Sequence, residues 1–147
     1  MDLLNRLEQT KTETLMFFEL EDEDLDKTYT EGKWTVRYIL HHLADTETVQ
    51  FERIRRLISE PRQVLLDFDQ DAWAANLDYD RRPLQLSREI YSSTRDGIMY
   101  YVDPYYEKHG DLDYVHSAAG IRTLKEEFDK VASHNQHHLE QIRQALE

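Results

Sequence analysis

Two short stretches hold most of the residues that could do chemistry. One is HHLAD, with His41, His42 and Asp45; the other is HNQHH, with His134, His137 and His138. The chain has no cysteine, which excludes disulfides, thiolate ligands and a cysteine nucleophile together. Any transition-metal site must then be built from His, Asp or Glu. His134 and His138 are four residues apart, so on a helix their rings lie one turn apart on the same face. His137 is turned by about 100° from His138. The spacing lacks the glutamate of an H-E-x-x-H zinc helix. Two readings stay open on this pattern: a polar face in water, or rings that converge on a divalent cation.

The elements that must position these rings are helical. Gly32, Pro61, Pro83, Gly110 and Gly120 separate long stretches whose apolar residues recur at helical spacing. The first predicted helix covers residues 3–20, with Leu4, Leu7, Leu15 and Phe18 inward. A second starts after an N-cap at Thr35 and stops before Pro61, with Val36, Ile39, Leu40, Leu43, Ile54 and Leu57 inward. A third covers residues 86–106 and is weakened by Gly97 and Pro104. The fourth begins at a capping box, Thr123 with Glu126, and runs to the end of the chain.

This pattern predicts a single all-α domain over residues 1–147, a four-helix bundle. The connection from Pro61 to Pro83 is too long for a tight turn. At about 3.3 Å per extended residue it can return along a helix of ~30 Å. That favours an up-down-down-up order with a long crossover between helices 2 and 3. The segment KHGDLDYVHSAAGIR leaves room for a short hairpin; no strand is expected elsewhere.

On these helices His138 falls in the stripe Leu124, Phe128, Val131, Asn135, His138, Ile142, with His134 on the same side. His42 sits at the edge of the Ile39–Leu40–Leu43 stripe, and His41 points away from it. Burying unsatisfied polar groups costs about 1–3 kcal/mol each. Three of them would consume a large part of a domain stability of ~5–15 kcal/mol. A divalent cation offsets that cost, and three nitrogen ligands leave positions open to water or substrate. Asp45 reads as a solvated helix carboxylate, with a base or acceptor behind the site as the alternative. Arg95 reads as a surface side chain, with a contact to an anionic substrate as its alternative. Ligating histidines must be neutral, so metal affinity is expected to fall as pH drops through about 6.

The formal net charge of -12 repels nucleic-acid phosphates and anionic membrane surfaces. The N-terminal stretch carries charges throughout, and no run of ~20 apolar residues occurs, so a cytoplasmic location is expected.

The stretches GKWTVRYILHHLADTE, Ala72–Trp73, HSAAGIRTLKEE and ASHNQHHLEQIR together resemble the DinB/YfiT-like family, from about Gly32 to the C-terminus. The first of that family's motifs is matched by Trp34, Thr35, His41, His42, Ala44 and Asp45. The second, of form H-x-x-H-H-L-x-x-I, is matched by His134, His137, His138, Leu139 and Ile142. The resemblance implies a four-helix bundle, commonly a homodimer. It implies one divalent ion, zinc or nickel, held by His42, His134 and His138, with His41 and His137 as non-ligating neighbours. It places His116, in the loop before the last helix, as a substrate contact. It also implies small-molecule chemistry: transfer of a low-molecular-weight thiol such as bacillithiol to an electrophile. The alternatives are metal-dependent hydrolysis on the same site, or a non-catalytic, stress-related bundle with a partner face in the tyrosine-rich MYYVDPYY region.

Overall fold

All four long helices form, and three of them begin at a side-chain cap. The computed structural model describes the whole chain, Met1 to Glu147. Helix α1 (Leu3–Phe17) is capped by Asp2, whose side chain accepts from the Asn5 backbone N–H. A single turn, α2 (Asp22–Leu25), follows within the acidic segment and buries Leu25. Helix α3 (Val36–Ser59) has the expected N-cap, the Thr35 hydroxyl accepting from Tyr38 N–H, and stops before Pro61. Helix α7 (Leu124–Leu146) starts at a complete capping box between Thr123 and Glu126.

The third long helix, α5 (Leu84–Tyr100), ends six residues before its expected limit, and a separate turn, α6 (Val102–Tyr105), carries Pro104. Proline lacks the N–H that an uninterrupted helix would need there. Gly97 lets α5 lie close to α3: a Cβ on it would stand 2.6 Å from Phe51 Cζ.

The fold is not purely helical. A three-stranded sheet, ordered β1-β2-β3, is built from β1 (Val64–Leu65), β2 (Asp113–His116) and β3 (Gly120–Thr123). Strand β1 pairs parallel with β2, and β2 pairs antiparallel with β3. Strands of two and four residues are too short to give a period-two signal. The tightest pairing, β2 with β3, is the hairpin for which residues 108–122 left room. Its turn ends at Gly120, whose φ of 79° suits glycine. The connection from α3 to α5 is likewise structured: it holds β1 and the short helix α4 (Gln70–Asn76), capped by Asp69.

Apolar packing falls into two clusters. One gathers the start of α1 (Leu3, Leu7), the end of α3 (Ile54, Leu57), the end of α5 (Ile98) and the start of α7 (Leu124, Phe128, Val131). The other gathers Phe18, the start of α3 (Val36, Ile39, Leu40, Leu43), Tyr91 and Ile142. In the tyrosine-rich stretch, Tyr101, Tyr105 and Tyr106 pack against the first cluster, while Tyr100 is 75% exposed.

A polar layer joins the helices. Arg95, expected at the surface, is wholly buried within it. Its guanidinium donates to both Glu47 carboxylate oxygens, to the Leu7 carbonyl (2.9 Å), to Thr10 Oγ1 (2.9 Å) and to Asn135 Oδ1 (2.6 Å). Asn135 also accepts from the Tyr91 hydroxyl and donates to Thr14 Oγ1. The stripe Ser87, Tyr91, Arg95, Ile98 is therefore the inner face of α5. Arg95 meets protein acceptors, not a ligand.

Candidate metal centre

Helices α3 and α7 bring three of the seven histidines together. His42 comes from the first third of α3; His134 and His138 come from successive turns of α7. The Nε2 atom of His134 lies 3.1 Å from Nε2 of His42 and 3.2 Å from Nε2 of His138. These three residues form one cluster with metal-ligand geometry, and no carboxylate belongs to it.

The donor set fits a divalent cation. Two ligands held at ~2.0–2.1 Å from one ion stand roughly 2.8–3.4 Å apart at octahedral or tetrahedral angles. Both measured separations fall in that interval. A neutral imidazole carries one N–H and one lone pair. The Gln141 side-chain oxygen, 2.7 Å from His138 Nδ1, accepts a hydrogen bond from the Nδ1–H, which leaves the lone pair on Nε2. The Gln141 amide in turn faces His137 Nε2 at 3.2 Å. Gln141 thus fixes the tautomer of one ligand, and His137 orients Gln141 without joining the cluster.

Burial keeps the rings neutral. It pushes His42 down to about 3, with the His138 charge adding to the effect. It pushes His134 down to about 2, helped by repulsion from His138 and His42. His138 falls to about 4, burial outweighing the Gln141 hydrogen bond, and buried His41 also falls to about 4. With burial lowering all three rings, metal loss by proton competition is expected to come below the pH 6 of solvated imidazoles, nearer pH 4.

Stability follows a different window. Between the unfolded value of ~6.5 and these lowered folded values, the unfolded chain binds more protons, so stability rises with pH. For the metal-free protein, the urea midpoint is expected to hold steady above pH 7 and to fall as pH drops from ~6.5 toward 4. The slope is up to about 1.4 kcal/mol per pH unit for each of the four histidines. A midpoint unchanged from pH 7 to pH 5 would contradict the burial of these rings.

The other polar candidates divide differently from expectation. Asp45 is buried, not solvated, and faces neither water nor the three Nε2 atoms as a free base. It accepts from the Tyr79 hydroxyl at 2.6 Å and from Arg82 Nη1 at 3.0 Å. Arg82 also donates to the His41 carbonyl, and His41 Nδ1 pairs with Ser87 Oγ at 2.7 Å. This group ties the end of the crossover to α3 and α5. His116 sits on β2, where its Nδ1 accepts from the backbone N–H groups of Ala118 and Ala119. It is not among the residues lining the cavity at His134 and His138.

That cavity, of about 450 Å³, opens over His134 and His138 and is bounded by Tyr29, Trp34, Asp71 and Gln141. Trp34 lies 5.0 Å from the His42 ring between centroids. Phe68 stacks on the same ring at 6.3 Å and itself packs against Trp73 at 4.9 Å. Gln141 and Phe68 are site residues that sequence reasoning did not single out. Gln141 had a signal, three residues past His138 on a ligand-bearing helix. Phe68 had none, since only the folded crossover brings it there.

The sequence profile of the DinB superfamily matches residues 6–142. The chain belongs to the DinB superfamily. Among its DinB-superfamily relatives is a protein of Oceanobacillus iheyensis named "Putative metal-dependent hydrolase", 31% identical over 86% of this chain and 73% of that one. A protein of the same description from Halalkalibacterium halodurans is 27% identical over 86% of this chain and 74% of its own. Among solved structures, YfiT from Bacillus subtilis superposes with a TM-score of 0.88 at 22% identity. The match covers 97% of this chain and 83% of YfiT. YfiT is described as a probable metal-dependent hydrolase with an unusual four-helix bundle topology, and the likeness shows that this chain shares that bundle fold. No helix of the chain is long and apolar enough to cross a membrane.

Proposed function

We propose that this chain is a metal-dependent enzyme in which His42, His134 and His138 hold one divalent cation, zinc or nickel. Its reaction transfers a low-molecular-weight thiol to a small electrophile. The observation that carries the reading is the convergence of three imidazole Nε2 atoms with no carboxylate in the cluster. When bound, the cation lowers the pKa of a thiol or water placed in its open positions.

The residues of the chain supply the rest. Gln141 holds His138 in the ligating tautomer. Trp34 and Phe68 cover the His42 ring and keep bulk water from that side. Asp45 is committed to Tyr79 and Arg82 and has no role as a general base. A nucleophile deprotonated by coordination alone suits such a site better than one that needs a separate base. Hydrolysis is the second reading, favoured by the names of the Oceanobacillus and Halalkalibacterium relatives.

The discriminating assay uses tag-free protein loaded with zinc or nickel, an activated aryl halide and an activated ester, each with and without an added small thiol. Aryl transfer that requires the thiol supports the first reading. Ester cleavage without thiol supports the second. Turnover that survives His138→Ala unchanged excludes both.

A further inference from the structure

Nine large apolar side chains stand well exposed on the protein, and four of them cluster at the small sheet: Val64 (65%), Leu66 (76%), Val115 (41%) and Ile121 (74%). The strand register makes three of these direct neighbours. Val64 pairs with Val115, and Val115 pairs with Ile121, so they form one row across all three strands. Leu66, two residues on from Val64, lines the same groove as it. The opposite face of the sheet is the one the fold uses: Leu65, Tyr114 and His116 alternate with the row and are buried. A sheet with one face packed normally turns polar residues outward. Here the outward positions are apolar and contiguous, which marks an interaction surface.

The charges beside the row say what covers it. Arg62 and Asp113 border a hollow of about 260 Å³ that Val115 and Ile121 also line. Arg62 N–H bonds to the Asp113 carbonyl at 2.8 Å, yet the two exposed side chains form no ion pair with each other or with any other residue. Under a two-fold axis, residue i of one copy meets residue j of the other, and j meets i. One unpaired cation and one unpaired carboxylate beside an apolar row therefore make a face complementary to itself. A chain of formal net charge -12 repels its own copy over most of its surface. At this face the flanking charges cancel, so a second copy approaches without that opposition.

We propose that the outer face of the β1-β2-β3 sheet is where two copies of this chain pack about a two-fold axis. Val64, Val115 and Ile121 of each copy lie against the same row of the other, and Arg62 of each meets Asp113 of the other. The two sheets then stack face to face at about 10 Å, with the six apolar side chains between them. None of these residues lines the cavity at His134 and His138, so the pairing leaves that cavity open. The tyrosine-rich stretch offers a poorer surface, since Tyr100 is its one ring left well exposed. The interface does not depend on the metal reading.

The test is sedimentation equilibrium of the untagged full chain from about 1 to 200 µM. A monomer–dimer equilibrium with a micromolar dissociation constant is expected. Ile121→Glu and Val64→Glu are each expected to weaken it about tenfold or more, with the thermal midpoint unchanged because both side chains are exposed in the monomer. Asp113→Arg is expected to weaken it about fivefold, since two like charges then face each other. The double variant Arg62→Asp/Asp113→Arg is expected to return to within about threefold of the parent. Tyr100→Glu leaves the dimer unchanged. A chain still monomeric at about 200 µM would overturn the proposal, as would a dimer that keeps its affinity in Ile121→Glu or loses it in Tyr100→Glu. A double variant no tighter than Asp113→Arg alone would overturn the two-fold charge pairing. Zinc stoichiometry in the same samples reports on the metal centre separately.

Discussion

Arg95→Met is expected to cost about 3–5 kcal/mol in urea unfolding, a large share of the stability of a domain this size. The magnitude follows from what the substitution leaves behind. Glu47 is 2% exposed and is held by Arg95 through both carboxylate oxygens. Removing the guanidinium strands a buried carboxylate, and it also unpairs the Leu7 carbonyl and the Thr10 hydroxyl. Glu47→Leu is expected to cost less than Arg95→Met, because Arg95 would still donate to Leu7, Thr10 and Asn135. The double variant should regain much of the loss, since a buried ion pair replaced by apolar side chains of similar volume is often close to neutral. A midpoint for Arg95→Met within about 0.5 kcal/mol of the parent would mean the pair is not buried in solution.

The second large effect is on ligand-linked stability. With zinc at a hundred times its dissociation constant, the parent is expected to gain about 2.7 kcal/mol. At that concentration His134→Ala should gain nothing measurable. His134 is the most sensitive choice because its Nε2 is the atom within 3.1–3.2 Å of both others. Gln141→Leu keeps all three ligands but releases the His138 tautomer. It should weaken zinc by about 10–100-fold and so lose part of the gain. His137→Ala, whose ring lies outside the cluster, should lose much less. Equal thermal shifts in the parent and His134→Ala would show that zinc binds elsewhere.

The bundle and the shared face of His134 and His138 were legible because both rest on helical period. Thr35 and the Thr123–Glu126 box marked helix starts that the structure keeps. The phase of α7 separated His134 and His138 from His137. What escaped depended on partners distant in sequence. Asp45 looks like a surface carboxylate until Tyr79 and Arg82 arrive from the crossover. Arg95 looks like a surface cation until Glu47 faces it. Asn135, a second polar residue beside His138 in the inner stripe of α7, is the local trace of that polar layer. Strand β1 is two residues long and exists only because β2 supplies its partner, so no local pattern announces it.

The walls over His42 come from different parts of the chain than the nitrogens do. Phe68 and Trp73 belong to the crossover, and neither is a member of either apolar cluster. Exchanging them changes what packs on the His42 ring without removing a side chain that holds the helices together. The three-histidine cluster, by contrast, is set into helices whose neighbouring positions are core. Such a division separates what can drift from what cannot. Rewriting a short stretch around residues 66–73 is expected to change what covers His42 while the bundle and its histidine cluster stay in place.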